Sequence, residues 1–309
     1  MKVRPISKNR GSILLAVFWV IAVLSFAVVT CVALVLTDVE LELNSKQQFE
    51  AQQWAEKGVA IAAHPLVKPW DPILRQQTEN GEGFTVQIMS EGARLNLNAI
   101  LLGNDVDLIQ RIFAQWGLDL QQSQALMDAM QDWIDPDKLE RINGAERDFY
   151  EEQGYQNQPF NRAFRSLDEV RLVAGMAEVD AIFPGWRNYF TLWSGSGKLD
   201  INEAPEELIS LACGCTIETA QQWISIRRGQ DKIENTQDDL TIRGIPEVIQ
   251  ILGLGGDAQT LVARRISFED PTVRISSIGV AGDAQFRREM VLRRNEAAPT
   301  LLYLNDETR

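Results

Sequence analysis

The chain has 309 residues, room for two domains, and its 45% hydrophobic content with 8 Trp and 12 Phe excludes wholesale disorder. Acidic residues outnumber basic ones by 43 to 30, and Lys2, Arg4, Lys8 and Arg10 stand ahead of everything else, so 26 bases face 43 acids in the remainder. Such a surface repels phosphate backbones and suits a basic partner or divalent cations. His64 is the single histidine, which removes most Ser-His, Cys-His and His-metal chemistries. No Gly-rich phosphate loop, nucleophile elbow or zinc spacing is present, so no catalytic residue is assigned and the protein is not read as an enzyme.

The first eleven residues, MKVRPISKNRG, are short, basic and end in glycine, and from Ser12 to Thr37 there is no charge. A helix over 12–37 rises about 39 Å, more than a hydrocarbon core of ~30 Å. The run is also too long for the apolar region of a secretory signal, and no small-x-small cleavage site follows it. The basic residues keep the N-terminus cytoplasmic and send the remainder outside. No Pro or Gly interrupts the chain until Gly58, and Ala51, Trp54, Ala55, Gly58, Val59 and Ala62 share one helical face. The pattern predicts one helix over 12–62, apolar all round in its first half and amphipathic in its second.

Pro65, Pro69, Pro72 and Gly81 mark loop, and GFTVQIMSEGARLNLNAI then reads as strand, turn, strand, with Leu95 and Leu97 alternating with Asn96 and Asn98. The period next changes to helical. Val106, Ile109, Ile112, Phe113 and Trp116 form one stripe, and Leu126, Ala129, Met130 and Trp133 form another. SLDEVRLVAGM carries a capping box at Ser166 and Glu169. Strand alternation returns only in RISFEDPTVRISSIGVAG, FRREMVLRR and TLLYLN. The fold class is therefore α+β: a long N-terminal helix packed on a small antiparallel sheet, interrupted by a large all-α insertion. The boundaries fall at a 1–11 leader, helix 12–62 with 12–37 transmembrane, a first α/β part 63–98, the insertion 99–265, and a second α/β part 266–309. A rough echo links ARLNLNAILLGN and its following helices to KLDINEAPEELISL and its own, as expected of a diverged duplication.

The densest polar cluster is DWIDPDKLERINGAERDFYEEQGY. Asp132, Asp135 and Asp137 fall where Pro136 breaks a helix, and Glu146 and Asp148 follow a turn-prone Asn143-Gly144. Converging loop carboxylates suit a hard cation such as Ca²⁺, although the EF-hand spacing is missing and helix-end acids are often merely solvated. Asp231 to Asp239 is a weaker acidic stretch. KLDINEAPEELISLACGCTIETAQQWISIRRG looks like a helix-hairpin-helix unit of competence DNA-binding proteins through Ile201, Asn202, Ala204, Glu207, Leu208, Ile224 and Arg227. Its hairpin, however, reads Cys213-Gly214-Cys215-Thr216, and only Arg227 and Arg228 supply charge, so no nucleic-acid partner is assigned.

A basic leader ending in glycine before a long apolar helix resembles type IV pilins and pseudopilins. That resemblance implies cleavage by prepilin peptidase after Gly11, leaving Ser12 as the first mature residue. Where the family usually carries Glu, as the fifth mature residue, stands Ala16, and the K-type minor pseudopilins of type II secretion likewise lack that Glu. D-W-x-D, then G-A-E and a tyrosine, resembles the hallmark segment of that family through Asp132, Trp133, Asp135, Asp137, Gly144, Ala145, Glu146 and Tyr150, with Arg147 where an acid is common. The K-type resemblance covers most of the chain. It implies an inner-membrane, single-pass protein with a periplasmic globular part, whose insertion is made of helix-hairpin-helix-like (SAM-like) repeats. It also implies a structural calcium ion at Asp132, Asp135, Asp137, Glu146 and Asp148. The implied partners are I- and J-type minor pseudopilins and the major pseudopilin, in a tip complex that primes the filament and helps export folded proteins. The alternative is a DNA-uptake or type IV pilus minor pilin built on the same anchor.

Overall fold

The computed structural model describes residues 10–103, 105–294 and 298–308; the leader residues 1–9 lie outside them. One helix, α1, runs Arg10–Ala62, matching the helix predicted over 12–62. In chain order come β1 Arg75–Gln77, β2 Gly83–Ser90, β3 Leu95–Asn96, α2 Leu97–Leu102, α3 Val106–Gln115, α4 Leu120–Ile134, α5 Arg147–Glu152, α6 Leu167–Val170, α7 Met176–Ile182, β4 Phe190–Thr191 and β5 Leu199–Asp200. Then follow α8 Glu206–Cys213, α9 Ile217–Arg227, α10 Ile245–Ile251, α11 Gln259–Arg265, β6 Ile266–Ser267, β7 Thr272–Ala281, β8 Ala284–Arg293 and β9 Thr300–Thr308.

The apolar half of α1 is exposed along its length, and among the described residues it is the one helix long and apolar enough to cross a membrane. The second half packs on an antiparallel sheet of order β1-β2-β7-β8-β9. Val59 and Ala62 join Phe84, Val86, Ile88, Val273 and Ile275 in one core, and Ala51 and Ala55 meet Ala281 and Phe286 in a second. Helix and sheet approach closely because Gly279 carries no side chain. A Cβ there would lie 2.0 Å from the Ala51 carbonyl oxygen. Arg294 ties the end of α1 to the strands, donating to the Ala62 carbonyl at 2.6 Å.

Ser90 at the end of β2 pairs with Val273 near the start of β7, so the whole insertion hangs where a hairpin turn would sit. This corrects the strand–turn–strand expected over 83–98. Asn96 accepts a bond from the Ala99 amide, starts α2 at Leu97 and leaves a two-residue β3. β3 runs parallel to β4 within the insertion, and β6 likewise pairs with β5 before the main sheet resumes at Thr272. The junction is welded by buried charge. Glu91 bonds Arg94 at 2.7 Å, Arg274 at 2.6 Å and the Thr191 hydroxyl, while Asp270 accepts from the Gly195, Ser196 and Thr272 amides.

The internal echo reaches further than the sequence suggested. Asn98 clamps the backbone of Phe164, accepting its N–H at 2.9 Å and donating to its C=O at 3.0 Å. Asn202 clamps Ile242 in the same way, at 2.8 and 2.9 Å. Each clamped residue opens a matching heptapeptide, FRSLDEV or IRGIPEV, whose Glu169 or Glu247 accepts from the amide of Arg165 or Arg243. Glu169 does not complete the capping box predicted with Ser166. Ser166 accepts from the Glu169 amide, but the Glu169 carboxylate turns inward to Trp133 Nε1 at 3.0 Å and to Arg162.

Candidate functional site

The hallmark segment folds as a loop locked over the end of α4, and each of its letters has a physical task. Trp133 is fully buried, edge-on to Tyr150 and stacked near Phe164. The Tyr150 hydroxyl accepts from the Ala174 amide, and burial pushes its pKa up to about 12. Asp132, fully buried, turns one oxygen, Oδ2, to the Arg141 and Ala145 amides at 3.2 and 3.1 Å, drawing the loop down. Gly144 is required by contact, since a Cβ there would stand 1.8 Å from that same oxygen.

Of the five carboxylates expected to hold a cation, four form one electrostatic cluster. Burial raises the pKa of Glu146, and the charges of Asp132, Asp135 and Asp137 raise it further against the Arg147 amide bond. Asp135 ends α4 at its C-cap; Asp137 is exposed and accepts from the Leu139 amide at 2.8 Å. Asp148 is exposed in the first turn of α5 and is not among the charges acting on Glu146. Arg147, standing where an acid is common, pairs outward with Glu151 at 2.7 Å.

The residue that sequence reasoning missed is Arg141. Its Nη1 reaches Asp132 Oδ1 at 2.5 Å and also bonds Asp135 Oδ2. Burial alone would lower its pKa, but bonds to Asp135 and Asp132 and their charges outweigh that and hold it above its ordinary value. Among the described residues, no group of three or more His, Cys, Asp or Glu is arranged as a ready metal cage. The cluster nonetheless has the chemistry of an oxygen-donor site. Asp135 Oδ1 and Glu146 Oε1 are buried without a partner among the described residues, as are Gln158 Oε1 and Asn161 Oδ1. Glu146, Gln158 and Asn161 line one cavity of about 240 Å³ beside Lys138. Unpaired buried oxygens of this kind fit a hard cation of 6–8 oxygen ligands.

The second acidic stretch is closed on itself. Asp238 accepts from the Gln230 and Asp231 amides, and Asp239 from those of Asn235 and Thr236. The helix-hairpin-helix-like unit is α8–α9, with Gly214 left-handed between them. Arg227 is turned inward, donating to the Ile201 and Ala204 carbonyls and pairing with Glu234 at 3.0 Å, and Arg228 shares that glutamate. Both arginines thus converge on one half-exposed glutamate. Cys213 and Cys215 form no disulfide with each other, and burial pushes the Cys213 thiol up to about 12. Gly11 and Ser12 fall in the first turn of α1, and their side chains lie outside the described residues.

Residues 93–181, which include the whole loop, match the family model described as type II secretion system (T2SS), protein K. The type II secretion system protein K of Klebsiella pneumoniae is 27% identical over 142 residues, covering 43% of this chain and 39% of that protein, so the match spans about two-fifths of the curated relative's length. Among solved structures, the GspK-GspI-GspJ complex of the enterotoxigenic Escherichia coli type 2 secretion system contains a chain similar at TM-score 0.61 and 12% identity, covering 88% of this chain and 98% of that one. At that identity the likeness is one of fold. Together with the matched segment and the relative, it supports a K-type minor pseudopilin.

Proposed function

We propose that this protein, allied with K-type minor pseudopilins by its matched segment, its relative and its structural neighbour, stands at the tip of a type II secretion pseudopilus. There it initiates the filament and supports export of folded proteins across the outer membrane. The observation that carries the reading is where the insertion is attached. The Ser90/Val273 junction lies at the Val59–Ala62 end of α1, the end farthest from the apolar half. A bulky domain in that position leaves no room for a subunit stacked above, which suits a tip and not a shaft. Ala16 in place of the usual buried glutamate fits the same position, because a terminal subunit has no neighbour's amine to pair with such a carboxylate.

In this reading prepilin peptidase cuts between Gly11 and Ser12. The apolar half of α1 is a single-pass inner-membrane anchor and the head is periplasmic. I- and J-type minor pseudopilins, with the major pseudopilin below, are the partners, the first two by analogy with the complex in which the structural neighbour was solved. Mass analysis of membrane-extracted protein is expected to give a start at Ser12; retention of Met1 to Gly11 would defeat the assignment. Crosslinks from the Ala16 region should reach minor partners, and crosslinks at regular intervals along a shaft would exclude the tip.

The same reading includes a structural calcium ion held by Asp132, Asp135 and Glu146, with Asp137 at its edge. The ion would supply the positive charge that the unpaired oxygens of Asp135 and Glu146 lack. Calorimetry and thermal melts of the detergent-solubilised chain should show a calcium effect at millimolar levels, and no effect would remove the ion from the account.

A further inference from the structure

We propose that Arg141 is a built-in competitor of the cation: its guanidinium occupies the carboxylates when no ion is bound and must swing out for an ion to enter. This rests on the calcium reading above and concerns how that site is regulated. The oxygens divide into two sets. Asp132 Oδ2 belongs to the loop's own fold, taken by the Arg141 and Ala145 amides. Asp132 Oδ1 and Asp135 Oδ2 are held, among the described residues, by one nitrogen alone, Arg141 Nη1. Two more oxygens, Asp135 Oδ1 and Glu146 Oε1, are buried and unpaired, and Glu146 is only 6% exposed.

Removal of the guanidinium would therefore free Asp132 Oδ1 and Asp135 Oδ2 beside the unpaired second oxygen of Asp135, with Glu146 near enough to feel both charges, and without unpicking the amide bonds that shape the loop. The exchange is feasible because Arg141 is about one-third exposed, with a side-chain accessibility of 36%, so water lies on the route out. One monovalent group cannot satisfy this many anionic oxygens. A divalent ion with 6–8 ligands answers that deficit, while the arginine keeps the loop folded when calcium is scarce. The latch sets a calcium threshold: tighter binding would need no arginine, and an empty site without one would be a buried knot of repelling carboxylates.

The test is calcium titration by calorimetry on the full-length chain in detergent, comparing wild type, Arg141→Gln and Arg141→Lys. Arg141 is one-third exposed although Asp132 is buried, so displacing it gives up a partly screened ion pair, and Arg141→Gln is expected to bind calcium about fivefold tighter. It should also melt lower without calcium and gain more on adding it. Arg141→Lys separates a latch from bulk charge. It keeps the charge, but its shorter side chain ends short of the place where Arg141 Nη1 touches both aspartates, so the latch predicts affinity between wild type and Arg141→Gln, whereas bulk charge predicts wild-type affinity. Unchanged or weaker binding by Arg141→Gln, or wild-type affinity for Arg141→Lys, overturns the latch and leaves the calcium site standing. No binding by any of the three overturns the site itself, and the latch with it.

Discussion

Gly144→Ala tests whether the hallmark loop is held by Asp132 as the structure indicates. The new methyl carbon would stand 1.8 Å from Asp132 Oδ2, 2.8 Å from its Cγ and 3.2 Å from Arg141 Cβ. The carboxylate cannot yield cheaply, since it is fully buried and held by two amides and the Arg141 guanidinium. Overpacking costs about 1–3 kcal/mol, and a charge-assisted bond lost in burial about 1.5–3 kcal/mol. The stiffer unfolded chain returns about 0.4–1 kcal/mol, because Gly144 is not in the left-handed region. The net is about 2–5 kcal/mol, a fall of roughly 5–15 °C in melting temperature for a domain of this size. Tryptophan fluorescence follows the transition directly, because Trp133 is buried against this loop. Gly256→Ala is the control, with nothing within 4 Å of its Cβ. Equal melting of the two variants would show that the loop is not drawn down onto Asp132.

Burial, reinforced by the charges of Glu203 and Asp270, pushes Asp200 up to about 7 from 3.8. The fold is thus favoured by its protonation, a benefit complete below 3.8 and lost as pH rises through about 7. Asp200→Asn should flatten stability between pH 4 and 7 and exceed wild type at pH 8 by about 1–3 kcal/mol in urea unfolding; parallel profiles would contradict the assignment. Asn98→Ala strips two bonds from Phe164, and Asn202→Ala strips three, two from Ile242 and one from Phe268, so urea midpoints should report losses of about 2–4 kcal/mol, larger for Asn202. Gly279→Ala drives a Cβ to 2.0 Å from the Ala51 carbonyl and 2.5 Å from the Ala55 amide, both backbone, and should cost at least about 3 kcal/mol. Faster proteolysis between α1 and the sheet would report that loss, and unchanged resistance would mean the close approach is absent.

What the sequence disclosed followed from period. α1, α3 and α4 were legible because their apolar stripes recur at helical spacing over ten or more residues, and β2 because Phe84, Val86 and Ile88 alternate without interruption. Leu95-Asn96-Leu97-Asn98 misled because alternation alone cannot show that Asn96 caps a helix, nor that the partner of Leu95 is Phe190, almost a hundred residues away. The four clustered carboxylates could be found as acids around a proline break. Arg141 could not, since a base among acids in a loop ordinarily reads as a solvated charge. Gln158 and Asn161 belong to a later turn whose return to Glu146 is purely tertiary. The duplication was half visible for the same reason. Asn98 and Asn202 lie in the segments that echo, but FRSLDEV and IRGIPEV share mainly an arginine and a Glu-Val pair, and only the two clamps bring them into register.

The way the insertion is attached decides what α1 can transmit. Because Ser90 and Val273 are neighbours in the sheet, the chain leaves and returns at one point, and closing even a very long excursion there costs only logarithmically in its length. A single point of exit would ordinarily be a hinge. Here it is not, because Glu91 bridges to Arg94 and Arg274 on the sheet side and to Thr191 inside the insertion, and Asp270 gathers the amides of Gly195 and Ser196 from across the same junction. Midway along the strands the sheet is bound to α1 by Arg288, which reaches Glu56 at 2.6 Å and Asp306 at 2.7 Å. Helix, sheet and insertion therefore have no slack link between them. A displacement of α1 along its axis would carry the insertion with it, as the tip position proposed above requires.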